Sequence, residues 1–141
     1  MSQTVSRYPN RPLMPDADSG RSRRRRPTVA VSGLHAHALA LEAAGTAIGL
    51  VMRVPTPLKP IADQLIRSAS SVPANLAEGH GRSGKDRTHL WRIAYASANE
   101  VDSHLRLLAS AGAIDRSRVD DALESFDRVR AMLWRLLHPG R

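Results

Sequence analysis

From Leu34 onward, apolar residues recur at spacings of three and four. Leu34, Ala38, Leu41, Ala44, Ile48 and Val51 form one such stripe. It predicts an amphipathic helix with that face toward a core. Pro55, Pro57 and Pro60 then interrupt the pattern and predict an extended connection. Ile61, Leu65, Ala69, Val72 and Leu76 make a second stripe, with Pro73 inside it. A kink or restart is expected at that proline, and Gly79 and Gly81 end the helix.

Leu90, Ile93, Ala94, Val101, Leu105 and Leu108 make the third stripe. Ser83, three residues before Asp86, predicts a capping box at its start, and Ala111-Gly112 closes it. Asp115 is the expected N-cap of the fourth helix, with Ser117 as the alternative. Its stripe is Val119, Leu123, Phe126, Val129, Leu133 and Leu136, ending at Pro139-Gly140. No alternating β-branched run argues for a strand. Four such segments on short connections predict an all-α fold, an antiparallel up-and-down four-helix bundle over residues 34–138. Acid–base pairs four apart decorate it: Asp63–Arg67, Glu78–Arg82, Asp102–Arg106 and Glu124–Arg128. They read as solvated helix faces.

The chain before the bundle differs in composition. Pro9, Pro12, Pro15 and Pro27 break any period, and apolar residues are sparse. Residues 1–33 therefore read as a disordered, arginine-rich N-terminal arm. It contains the run Arg23, Arg24, Arg25 and Arg26. The whole chain carries 21 Lys+Arg against 13 Asp+Glu, a formal net charge of +8. Residues 1–27 hold seven arginines and two aspartates, net +5, and residues 28–141 hold 14 positive and 11 negative side chains, net +3. Basicity is thus concentrated ahead of the bundle. Arginines followed by an apolar stretch resemble a twin-arginine export signal, but His35, His37 and Glu42 interrupt that stretch. A cytoplasmic protein with no membrane association is the expectation.

With 141 residues the chain makes one domain able to bury a core unaided. It has no cysteine, which excludes disulfides, thiol catalysis and cysteine-ligated zinc. Gly79-His80-Gly81-Arg82-Ser83-Gly84, followed by Lys85, matches a dinucleotide fingerprint and nearly a P-loop. Both need a strand before the glycines, and here a helix precedes them. The stretch reads as a glycine-rich turn between helices. Arg82, Lys85 and Arg87 around the following helix start make it a candidate anion site. Asn75, Glu78 and Glu100 lie on or near apolar stripes, with Arg67 or Arg82 as candidate partners for the carboxylates. They read as a structural network at the Pro73 kink, with a ligand site as the alternative. The six histidines show no metal-binding spacing. Trp91 and Tyr95, four apart, read as core or subunit-contact residues, with base stacking as the alternative. No catalytic constellation, metal or cofactor is implied, so the chain reads as a non-enzyme.

The stretch from Gln64 through Arg67-Ser68-Ala69 and Ser71-Val72-Pro73-Ala74-Asn75-Leu76-Ala77-Glu78-Gly79 to Gly81-Arg82 resembles a family signature. The family is that of four-helix bundle proteins associated with intervening sequences of 23S ribosomal RNA genes. Ile93-Ala94, Ser97 and Glu100 resemble its second motif. Where the family has Gly-Ser-Leu, this chain has Ala96-Ser97-Ala98. Arg67, Pro73, Asn75, Glu78, Gly79 and Glu100 are the positions carrying the resemblance. It implies an up-down bundle that assembles into homo-oligomers, with pentamers known among relatives. One branch, the accessory variability proteins of diversity-generating retroelements, binds a reverse transcriptase and nucleic acid. The expected function is a non-catalytic homo-oligomer binding RNA or DNA phosphate through Arg82, Lys85, Arg87 and the arm. The alternative is a protein-interaction scaffold, or accessory subunit of a partner enzyme, with no direct nucleic-acid contact.

Overall fold

The computed structural model describes residues 32–141. Four helices follow one another: α1 (Gly33–Val51), α2 (Lys59–His80), α3 (Gly84–Ser110) and α4 (Arg116–Leu137). A short 3₁₀ turn, Thr56–Leu58, precedes α2, and no strand occurs among the described residues. Each helix packs on its neighbours in sequence, and α4 closes the bundle against α1.

The start of α1 is set by Ser32. Its backbone is extended, and its Oγ accepts from the His35 N–H at 3.1 Å. That satisfies one of the four donors a helix start leaves unpaired. The face of α1 that turns inward is the expected one only in its second half, where Ala44 and Val51 are buried and Ile48 is half-buried; Leu34, Ala38 and Leu41 of the predicted stripe are exposed. Ala36, Ala40, Ala43, Ala44, Ala47 and Val51 are buried, while Leu34 is 64% and Leu41 53% exposed. The segment is apolar on nearly every side, so periodicity selects no single face. Packing does the selecting: Leu65, Leu76, Leu105 and Phe126 of the other helices fill the bundle centre. At native packing density the remaining space fits methyl groups rather than isobutyl groups.

Pro60 stands in the first turn of α2, where a missing N–H leaves no bond unmade. Helix α2 then runs unbroken through buried Pro73, so the expected restart does not occur. In α3 the expected stripe is shifted at its start. Trp91 and Ala98 are buried, while Ile93 is exposed and Leu90 only half-buried. Ser83 is the N-cap residue of α3, but its side chain bonds no helix N–H, so no capping box forms. Gly84, at φ +57°, turns the chain into the helix through a conformation that suits glycine.

The α3–α4 connection closes a Schellman pattern. Ala113 N–H bonds the Leu108 carbonyl at 3.0 Å, and Gly112 N–H bonds Ala109 at 3.0 Å, with Gly112 at φ +72°. Val119, Leu123, Phe126, Val129 and Leu133 of α4 are buried as their spacing predicts, and Leu136 is half-buried. Asp115 stands at the N-cap position; its carboxylate accepts from the Ser117 hydroxyl at 2.7 Å rather than from the helix backbone.

Candidate functional site

The glycine-rich stretch is a helix–helix turn. It joins the C-terminus of α2 to the N-terminus of α3. Its three basic residues have different surroundings. Arg87 is built into the fold: its Nε donates to the Gly79 carbonyl at 3.2 Å and its Nη2 to the His80 carbonyl at 3.4 Å. Both carbonyls belong to the last turn of α2, where a helix lacks its regular partners; that of Gly79 accepts from the Arg82 N–H at 3.1 Å as well. The guanidinium also lies 5.5 Å from the ring centroid of Trp91, in cation–π range. Arg82 pairs with Glu78 at 3.2 Å, both about half exposed. Such a pair is weak and exchanges readily for another anion. Lys85 is exposed in the first turn of α3 and has no ion-pair partner among the described residues. Of the three, only Lys85 is uncommitted.

Trp91 lies beneath this turn. It is buried, and its Nε1 donates to the Leu76 carbonyl at 3.4 Å. It is a core residue whose ring is unavailable to a stacked base. Tyr95 is half-buried against the same core. The first residue of α1 meets the turn as well: a Cβ at Gly33 would lie 3.0 Å from His80 Nδ1. The chain segment preceding α1 therefore joins the bundle at the same end as Arg82 and Lys85. Arg23, Arg24, Arg25 and Arg26 lie outside the described residues.

The expected cluster of Asn75, Glu78 and Glu100 does not form. Glu78 pairs with Arg82, and Glu100 pairs with His104 at 3.4 Å; both carboxylates are exposed. Arg67 is exposed too, and Asp63 pairs with Lys59 rather than with Arg67. A different network joins α2 to α3. Asn75 Nδ2 donates to the Ser71 carbonyl at 2.8 Å and to Ser71 Oγ at 2.9 Å. Ser97 Oγ of α3 donates to Ser71 Oγ at 3.0 Å. Ser71 is the hub, and sequence spacing gave no signal for it. No buried side-chain polar atom among the described residues lacks a partner, which gives the network the character of a structural joint. A second joint ties α3 to α4. Arg130 donates to Asn99 Oδ1 at 3.1 Å and to Asp102 Oδ2 at 3.0 Å, and also contacts Asp127. Asp102 further accepts from Arg106 at 2.7 Å.

The profile of the 23S rRNA-intervening sequence protein family matches residues 52–135. The chain belongs to that family. Its fold is shared with the crystal structure of a protein of unknown function from the S23 ribosomal protein family of Bacteroides thetaiotaomicron VPI-5482. The TM-score is 0.68 at 22% identity, over 74% of this chain and 96% of that one. At that identity the likeness speaks for the fold alone. No curated protein matches the chain significantly.

The match to the 23S rRNA-intervening sequence proteins takes in α2, α3 and nearly all of α4, and begins at Met52, one residue past α1. The Trp91–Leu76 hydrogen bond, the Arg87 cap and the Ser71 hub all fall inside it. The exposed leucines of α1 fall outside it.

Proposed function

We propose that this 23S rRNA-intervening sequence protein is a non-catalytic, homo-oligomeric helical scaffold that gathers nucleic-acid phosphate at one end of its bundle. One observation carries the reading: the chain enters α1 beside His80, at the end where Arg82 and Lys85 are displayed. Arg26 is six residues from Ser32, a reach of about 20 Å when fully extended. The chain length thus keeps arginines 23–26 no farther than about 30 Å from Ser32. Several weak cations on one end favour phosphate without sequence readout. Each further subunit adds another such end, which raises avidity without better single contacts.

The test is binding of the full chain to single-stranded RNA and to duplex DNA across a salt series. If about five arm arginines contact phosphate, deleting residues 1–27 flattens the log–log salt slope by about four to five. An unchanged slope removes the arm from the mechanism; no binding at low salt removes the reading altogether.

A second reading is a protein-interaction scaffold without direct nucleic-acid contact. It is favoured by the engagement of Arg87, and partly of Arg82, within the bundle itself. Recovery of a host protein partner, and of no nucleic acid, with the purified chain would select it.

A further inference from the structure

Of the tryptophan, tyrosine and phenylalanine rings among the described residues, only Trp134 is exposed. Trp91 and Phe126 are buried and Tyr95 is half-buried, whereas Trp134, on the last turn of α4, is 44% exposed. His138, one turn on, lies against it. The two ring centroids are 4.4 Å apart and the planes 25° from parallel. Local bonds fix the imidazole there. Its Nδ1 donates to the Trp134 carbonyl at 2.9 Å, and the His138 backbone N–H donates to the same carbonyl at 3.0 Å. The result is a held aromatic pair with the indole open to solvent.

The charge around this pair is one-sided. Residues 115–127 carry five acids and two arginines, net −3. Residues 128–141 carry Arg128, Arg130, Arg135 and Arg141 and no acid, net +4. Arg130 is committed to Asp102 and Asp127. Arg135, beside Trp134 in sequence, and Arg141, three residues past His138, are exposed and form no ion pair among the described residues. Helix α4 runs antiparallel to α3: Arg116 and Ser110 wall one cleft, and Arg130 reaches Asn99 and Asp102. Its last turn therefore returns to the end of the bundle from which α3 starts, the end that displays Arg82 and Lys85.

We infer that Trp134 is a stacking platform for an unpaired base of a single-stranded nucleic acid, with Arg135 and Arg141 holding the adjoining phosphates. The inference rests on the phosphate reading above and names the class of its ligand. An exposed indole among unpaired arginines is the combination that binds single strands without reading their sequence, because every base has a π-face. The pinned imidazole leaves the indole little ordering to lose when a base arrives. A duplex presents the same phosphates with its bases already stacked on one another. The ring therefore selects single strands, which the cations alone do not.

The test uses the full chain and a single strand of about ten deoxythymidines, within the length that one such site covers. An abasic strand of equal length carries the same phosphates and no base. Fluorescence anisotropy of the labelled strands at low salt measures both affinities. Expected is tighter binding of the thymidine strand, and a roughly 5- to 150-fold loss for Trp134→Leu on that strand alone. Trp134→Phe should recover much of the loss, since a phenyl ring stacks and an isobutyl group does not. Trp134→Leu removes no charge, so its salt slope should match that of the unmodified chain. Equal affinity of the unmodified chain for the two strands overturns the inference and leaves phosphate binding standing. So does a Trp134→Leu variant unchanged on the thymidine strand, or weakened equally on both. Absence of binding to either strand overturns the phosphate reading along with it. Sedimentation supplies the last check: an oligomer that Trp134→Leu dissociates would make the ring a subunit contact and overturn the stacking role.

Discussion

The ring of Trp91 occupies the space that a side chain at Gly79 would need. A Cβ built on Gly79 falls 2.6 Å from both Cδ1 and Nε1 of the indole. Because the ring is buried, it has little freedom to retreat. Gly79→Ala is therefore an overpacking change and should cost about 1–3 kcal/mol. Urea unfolding followed by helical circular dichroism measures it; a loss below half a kilocalorie would mean that the ring relocates freely.

Arg87 and Lys85 are neighbours in sequence with different tasks. Arg87→Ala should lower stability by about 0.5–1.5 kcal/mol, since the His80 carbonyl loses its side-chain donor and the Gly79 carbonyl keeps only backbone donors. Lys85→Ala should leave stability within about half a kilocalorie, as expected of an exposed surface position. It should instead reduce the salt slope of nucleic-acid binding by about one if Lys85 touches a phosphate. Equal stability losses in the two variants would contradict the division.

Ser71 connects α2 to α3 through its hydroxyl. Ser71→Ala strips a partner from both Asn75 and Ser97. The expected cost is about 1–2 kcal/mol, because half-buried polar groups lose bonds that water replaces only in part. In a double-mutant cycle, Ser71→Ala and Ser97→Ala should be clearly non-additive. Additivity would show that the two hydroxyls do not interact.

Asp102 gives the bundle an acid sensitivity. Burial by itself would raise this carboxyl, but the hydrogen bond from Arg106 and the charges of Arg130 and Arg106 outweigh it and hold it below the usual value. As pH falls, the unfolded chain takes up this proton before the folded one does. The stabilisation is therefore complete above the unfolded value of about 3.9, and disappears as pH drops through the lower folded value. Asp102→Asn should cost about 1–3 kcal/mol near neutrality, through the hydrogen bonds to charged partners. It should also flatten the pH dependence of unfolding below about pH 4. Identical acid profiles for the two proteins would rule out this carboxylate as a source of that sensitivity.

The candidate site was legible only in outline. The glycine-rich turn and its basic residues could be read because glycine spacing and charge are local features. That Arg87 is consumed as a cap could not be read, since the carbonyls it meets sit seven and eight residues back on another helix. The Asn75, Glu78 and Glu100 cluster failed for a related reason. Spacing along a helix assigns an approximate face, but Glu78 and Glu100 found local partners one turn away, Arg82 and His104, and stayed in solvent. The true hub, Ser71, looks no different from Ser68 or Ser70 beside it until Ser97 is brought against it.

The number and order of helices, the turn residues between them and the inward face of α4 all follow from the sequence by itself. They rest on three- and four-residue spacing and on the backbone demands of proline and glycine, which act within a few residues. Tertiary structure decided the face of α1. A helix apolar on nearly every side can bury any stripe, and only the volume left by Leu65, Leu76, Leu105 and Phe126 selects alanines inward and leaves Leu34 and Leu41 outward.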